Sequence, residues 1–221
     1  MIITIDGPAA AGKGTLAASL AKRYRLTYFD TGMVYRAVGL QMLLENCPLE
    51  DKISAENFAK QLTFQRMMEL SKNPNFRSLE GSHAASAVAA IPPVRAALLK
   101  MQQDFSKKPV FADGTPADGA IYDGRDTGTV ICPDADIKFF ITATPEVRAM
   151  RRFKEYEQKG QASSFEEVLE QTIARDKNDF ARESSQPAKD AVIIDTSDFS
   201  IEQVFEKVCE IIDQRQKTLE K

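Results

Sequence analysis

A chain of 221 residues with 43% apolar side chains can bury the core of one domain with insertions. Its 29 basic and 32 acidic residues leave a formal charge of -3, which excludes a protein held to nucleic acid or an anionic membrane by bulk electrostatics. No apolar run reaches the roughly 18 residues of a membrane span, and the N-terminus opens on a core strand instead of a charged leader, so a cytoplasmic protein is expected.

The first predicted element is "MIITI", β-branched and apolar as a strand buried on both faces should be. "GPAAAGKGT" follows, and then Leu16, Ala17, Leu20 and Ala21 at helical spacing. Strand, glycine loop and helix is the context of a P-loop. Gly7 and Gly12 let the backbone curl so that its N–H groups aim at phosphate oxygens, the helix N-terminus adds positive potential, and Lys13 reaches the outer phosphates. The residue after Lys13 is Gly14, where serine or threonine is usual, and the hydroxyl comes one place later at Thr15, so no direct protein ligand to magnesium is assigned, Thr15 being the one candidate in the loop. A triphosphate held this way can be hydrolysed, used as a switch, or passed on.

Four further strands are predicted, at "LTYFD" (26–30), "GAIYDG" (119–124), "IKFFIT" (137–142) and "DAVIIDT" (190–196). Alternation with helical segments implies α/β architecture, a five-stranded parallel sheet flanked by helices. The core is expected over 1–45, 113–144 and 188–221. Residues 46–112 form one insertion, a candidate flap. Residues 145–187 form another, two charged helices that read as a lid excluding water. The last helix opens at Ser200 with Gln203 three residues on, a capping box, and carries Val204, Val208, Ile211 and Ile212 on one stripe. "KKPVFADGTPADG" (107–119) reads as a turn-rich loop. Cys47, Cys132 and Cys209 lack metal spacing and are expected to be reduced, and the lone His83 makes no metal site or triad.

In an open α/β sheet ligands bind outside the carboxyl ends of the strands. Asp30, Thr31 and Arg36 follow the second strand, and Asp123, Arg125 and Asp126 follow the third. Arg151 and Arg152 on the lid, and Arg175, Asp179 and Arg182 at helical spacing, complete a cationic set. Guanidinium groups grip phosphate oxygens bidentately, so a surplus of them points to a donor and an acceptor phosphate held together. Plainer roles compete: Arg148, Arg151 and Arg152 as a solvated face, Asp30 as a turn former, and the Arg175, Asp179, Arg182 stripe as an intrahelical salt-bridge ladder.

"GPAAAGKGT", "DTGMVYRA", "HAASAVAAIPPVRAALL", "DGRDTGTVICPDADIKFFITATPEVRAMRR" and "RDKNDFAR" with "DAVIIDTS", in that order over nearly the whole chain, resemble the bacterial cytidylate kinase (CMP kinase) family of nucleoside monophosphate kinases. The resemblance implies transfer of the γ-phosphate of ATP, with Mg²⁺, to CMP or dCMP by a monomer with a lid and a monophosphate-binding insertion. It assigns Gly7, Pro8, Ala9, Ala10, Ala11, Gly12, Lys13, Gly14 and Thr15 to the ATP phosphates, and Arg36, Arg125 and Arg182 to the phosphoryl groups near CMP. Thr31 also falls on the CMP side. Ser86, Arg95 and Asp126 match positions that read cytosine, Arg175 and Asp179 those that hold the sugar hydroxyls, and Arg151 and Arg152 the lid. The stretch before "HAASAVAA" is shorter than in longer family members, and "FADGTPADG" is longer. A kinase for UMP or AMP would share every P-loop argument. A GTPase or ATPase switch would need a guanine-reading Asn-Lys-x-Asp or a partner-facing switch, and "DKND" (176–179) stands out of order for the former.

Overall fold

The computed structural model describes residues 1–111, 113–158 and 160–219. In chain order the elements are β1 (Ile2–Asp6), α1 (Lys13–Tyr24), β2 (Thr27–Asp30), α2 (Gly32–Leu44), α3 (Lys52–Gln61), α4 (Phe64–Leu70), α5 (Leu79–Ala89), α6 (Pro92–Lys107), β3 (Ala120–Gly124), β4 (Ile137–Thr142), α7 (Pro145–Gln158), α8 (Phe165–Phe180), β5 (Val192–Asp195) and α9 (Ile201–Leu219). Short 3₁₀ turns lie at Pro74–Arg77 and Glu183–Ser185, and a π-helical turn at Thr127–Ile131.

The five strands form one parallel sheet in the order β2-β3-β1-β4-β5, with β1 paired to β3 and β4, and β4 to β5. From Ile3 to Asp6 every residue of β1 is buried, Thr4 and Asp6 included, as befits a mainly β-branched, apolar strand covered on both faces. Ile3, Ile5, Ile121, Phe139 and Ile141 share a core with Leu16 and Leu20 of α1 and Val204, Val208 and Ile212 of α9. The capping box that starts α9 forms, since the Ser200 N–H donates to Gln203 Oε1 at 2.9 Å and the Gln203 N–H to Ser200 Oγ at 3.3 Å. At the β5 edge Ile193 is 61% exposed, so this strand is less covered than its apolar sequence implies.

The residues separate into two compact units, Met1–Phe29 with Lys108–Lys221, and Asp30–Lys107. The second begins earlier than the expected 46. Helix α2, placed in the core on sequence grounds, packs instead on α5. A Cβ at Gly39 would lie 2.8 Å from the Ala84 carbonyl carbon, so the backbones touch, and Val34, Val38 and Met42 are buried with Ala84 and Val88. Residues 108–111 belong to the first unit, where the Thr27 hydroxyl donates to the Val110 carbonyl at 2.8 Å. The turn-rich loop is a small hairpin: Val110 and Pro116 form an antiparallel bridge, and the Phe111 N–H donates to the Thr115 carbonyl at 2.8 Å. Cys47, Cys132 and Cys209 are free thiols, and His83 is exposed on α5. Among the described residues, no single helix is long and apolar enough to cross a membrane.

Candidate active site

At the carboxyl end of β1 the chain turns through Gly7, whose φ of +141° lies where side chains are strained, and whose Cβ would sit 1.9 Å from the Ile141 carbonyl oxygen. Ala10 and Gly12 also have positive φ, and Gly12 caps α1 without a side-chain acceptor. The first-turn N–H groups of α1 are thereby left for an anion. Lys13 curls back over the loop, donating to the Pro8 carbonyl at 2.9 Å, with its ammonium 3.8 Å from Asp123 Oδ1. Burial, reinforced by the positive charge of Arg125 and opposed by Asp123, lowers its pKa to about 8. A desolvated cation this close to neutrality is primed for a polyanion that restores its charge.

Asp6 ties this loop to the segment after β3. It accepts from the Thr127 N–H at 2.9 Å, the Thr127 hydroxyl at 2.8 Å and the Gly128 N–H at 2.7 Å. Burial pushes its carboxyl above the ordinary range, although those hydrogen bonds pull the other way. Three short donors occupy Asp6, and this makes it an anchor rather than a ligand.

After β3 comes the cationic cluster. Arg125 Nε donates to Asp179 Oδ2 at 3.1 Å, and Arg182 Nη2 to Asp179 Oδ1 at 2.9 Å. Arg175 Nε lies 3.8 Å from the same carboxylate. Burial alone would raise the Asp179 pKa, but the charges of Arg125 and Arg175 and the hydrogen bonds from Arg182 and Arg125 hold it below the usual carboxylate range. Three guanidinium groups converge on one carboxylate, so the cluster carries excess positive charge, and Arg182 Nε is buried with no hydrogen-bond partner among the described residues. The expected helical stripe needs one correction. Helix α8 ends at Phe180, and Arg182 has an extended backbone that starts the next 3₁₀ turn, yet its side chain still folds back to Asp179. Arg125 comes from another element, so this is not an intrahelical ladder.

The remaining cations divide. Arg151 donates to the Thr196 carbonyl at 2.8 Å and reaches the Ala11 carbonyl at 3.4 Å, gripping the loop from behind. Arg152 pairs with Glu155 and lies over the Tyr156 ring, both on its own helix. Arg148 is no solvated side chain. Only 2% exposed, it donates to Asp176 Oδ1 at 2.9 Å, to the Ala143 carbonyl at 2.8 Å and to the Ala9 carbonyl at 3.4 Å. Asp176 lies 28 residues away with no local pattern, so nothing in the sequence marks the pair. Thr15 is exposed on α1 and Asp126 buried after β3.

In the second unit, Asp30 Oδ1 accepts from the Gly32 N–H at 2.9 Å and Oδ2 pairs with Arg77 at 3.4 Å, the role of a turn former. Thr31 is buried beside it. Arg36 donates to Ser82 Oγ at 3.0 Å and to the Phe76 carbonyl at 3.2 Å, and Arg95 lies over the Tyr35 ring at 5.4 Å. Ser86 is exposed on α5.

With that geometry fixed, comparison with known proteins is direct. The family model for cytidylate kinase matches residues 3–214. A cytidylate kinase of Mesorhizobium japonicum is 43% identical over 96% of this chain and 93% of its own length, and that of Methylocella silvestris 42% over 99% and 97%. Among solved structures, a shikimate kinase from Bacteroides thetaiotaomicron superposes with a TM-score of 0.50 at 12% identity, covering 96% of this chain and 98% of its own, a likeness of fold alone. Matched from the third residue almost to its end, the chain belongs to the cytidylate kinase family.

Proposed function

We propose that the Lys13 loop holds ATP and that the arginines around Asp179 hold the acceptor, so that the chain phosphorylates CMP and dCMP to CDP and dCDP. The observation that carries the reading is the convergence of Arg125, Arg175 and Arg182 on Asp179 in the unit that carries Lys13. Phosphoryl transfer is mainly positioning and charge neutralisation, and neither needs a general base. In this reading Arg125 and Arg182 stabilise the transferring group and Arg175 and Asp179 take the sugar hydroxyls. Arg36, Thr31, Ser86, Arg95 and Asp126 receive the monophosphate and its base. The helices α7 and α8 exclude water, which favours transfer over hydrolysis.

Magnesium keeps most of its waters and takes one or two carboxylates plus substrate phosphates. No group of three or more His, Cys, Asp or Glu forms a metal cage among the described residues. Asp123, whose carboxylate lies 3.8 Å from the Lys13 ammonium, with Thr15 in the first turn of α1, fits an ion that arrives with ATP, and when bound it would neutralise charge on the β- and γ-phosphates.

An ATP-coupled assay of the purified protein against CMP, dCMP, UMP and AMP, with an acceptor-free control, tests the assignment. Transfer should be fastest to CMP or dCMP. Preference for UMP or AMP would assign another monophosphate kinase, and faster hydrolysis without acceptor would assign an ATPase. Base choice gives a sharper result. A carboxylate only accepts hydrogen bonds, so Asp126 suits the cytosine amino group and repels the uracil oxygen, while Arg95 suits N3 and the adjacent carbonyl. Losing one charge-assisted hydrogen bond costs roughly 1.5 to 3 kcal/mol, so Asp126→Ala should lower kcat/KM for CMP about ten- to a hundredfold and for UMP much less. Equal losses would make Asp126 a support for the loop.

The Lys13 pKa of about 8 sets a pH limit. Because kcat/KM reports the free enzyme, kcat/KM for ATP should fall above about pH 8 as the ammonium loses its proton. At saturating ATP the bound phosphates hold the proton on, so kcat should decline only at higher pH. A Lys13→Arg variant, however slow, should lose the alkaline limb. If the limb persists in that variant, another group is titrating.

A further inference from the structure

Gly14 removes the hydroxyl that follows the lysine in most P-loops, and the space it leaves is not empty. A Cβ at position 14 would lie 3.4 Å from the Tyr28 hydroxyl and 3.4 Å from Asp123 Oδ2. Those two atoms are themselves hydrogen-bonded, the Tyr28 hydroxyl donating to Asp123 Oδ2 at 3.2 Å, while Asp123 Oδ1 faces the Lys13 ammonium at 3.8 Å. Tyr28 reaches this point from β2, the edge strand of the sheet, and is 36% exposed. A residue with a γ-atom at position 14 would reach into the space that the Tyr28 hydroxyl now borders.

We propose that the Tyr28 hydroxyl substitutes for the missing P-loop hydroxyl, fixing Asp123 beside Lys13 so that the carboxylate meets the metal–ATP complex in one orientation. This rests on the kinase reading above. Tyr28 acts through Asp123 and is a positioning residue. A hydrogen bond from a third-exposed tyrosine to a partly exposed carboxylate adds little to folding, so a structural role alone predicts a silent Tyr28→Phe change. A positioning role predicts a loss confined to the metal-bound nucleotide, because metal-free ATP gains nothing from an oriented Asp123.

The experiment is calorimetric binding of MgATP and of metal-free ATP to wild type, Tyr28→Phe, Gly14→Ser and the double variant, with Mg²⁺ titrations of turnover and melting curves. Tyr28→Phe should weaken MgATP about tenfold, as expected for one hydrogen bond to a charged group, and raise the half-saturating Mg²⁺ concentration in step. Metal-free ATP affinity and the melting temperature should stay put. Gly14→Ser in the Tyr28→Phe background should restore most of the loss, because the serine hydroxyl then occupies the vacated space. MgATP affinity within twofold of wild type in Tyr28→Phe, an equal loss for both forms of ATP, or no rescue in the double variant would each overturn the proposal. The binding is read without acceptor. A wild type that binds MgATP but leaves CMP untouched would therefore sink the kinase reading and leave Tyr28 to be judged on its own.

Discussion

Lys13→Ala should lower kcat for phosphoryl transfer by about a thousandfold, the upper range for deleting one preorganised charge or donor from a site where negative charge develops. The folded state should not suffer. Moving a lysine from 10.5 to about 8 corresponds to about 3 kcal/mol against its charged form, so at neutral pH the alanine variant should melt at or above the wild-type temperature. The sign is fixed by linkage. With its folded pKa depressed, Lys13 binds fewer protons in the native than in the unfolded state between about pH 8 and 10.5, so nucleotide-free wild type gains stability as pH rises through that window. The alanine variant should show a flatter profile there. Single-turnover transfer and melting curves from pH 7 to 10.5 read both quantities, and near-normal turnover with normal melting would remove Lys13 from the site.

The second large effect is on folding. Arg148→Ala strips the partner from Asp176 and leaves the Ala143 carbonyl without the side-chain donor it now has. Breaking a buried pair from one side costs about 3 to 5 kcal/mol, which in a chain this long lowers the melting temperature by about 10 °C. Removing both charges together, as Arg148→Met with Asp176→Leu, should recover much of that loss, since well-packed apolar replacements of buried pairs are often neutral. Turnover should fall in the single variant as well, because Asp176 is the neighbour of Arg175 on α8. Urea unfolding of the two variants decides the point. A loss under about 1 kcal/mol would return Arg148 to an ordinary surface role.

Sequence carried the fold further than it carried the site. The strands were visible because a parallel sheet buried on both faces favours short β-branched and apolar runs, and "MIITI" and "IKFFIT" are mainly that, the one charge, Lys138, being paired with Asp190. The P-loop was visible because its glycines and lysine are contiguous. Arg148 was not, because its environment is made by Asp176 and the Ala9 carbonyl, both remote in sequence, together with the nearby Ala143 carbonyl, and a buried arginine reads like a solvated one until its partners are known. Asp6 was hidden for the same reason, its donors lying some 120 residues on at Thr127 and Gly128. Arg182 shows the opposite failure. Its spacing from Asp179 fits a helix face, but the helix stops at Phe180 and the contact survives through a bend. The early start of the second unit at Asp30 came from the small side chains of α2 and α5, whose close approach depends on packing that one-dimensional patterning does not express.

The pairing of β1 with β3, Ile2 against Ala120 and Asp6 against Gly124, places one strand next to another that emerges from the ribosome more than a hundred residues later. At about 5 to 20 residues per second the nascent chain waits roughly ten seconds before β1 has any neighbour. Asp6 at its end lacks its donors until Thr127 and Gly128 are made, and Arg148, which reaches the loop at the Ala9 carbonyl, lacks its carboxylate partner until Asp176 follows. The nucleotide loop is therefore completed only long after it is itself synthesised. During synthesis the apolar "MIITI" strand has two open edges until β3 and β4 are made, a site for mispairing that the growing chain must keep covered.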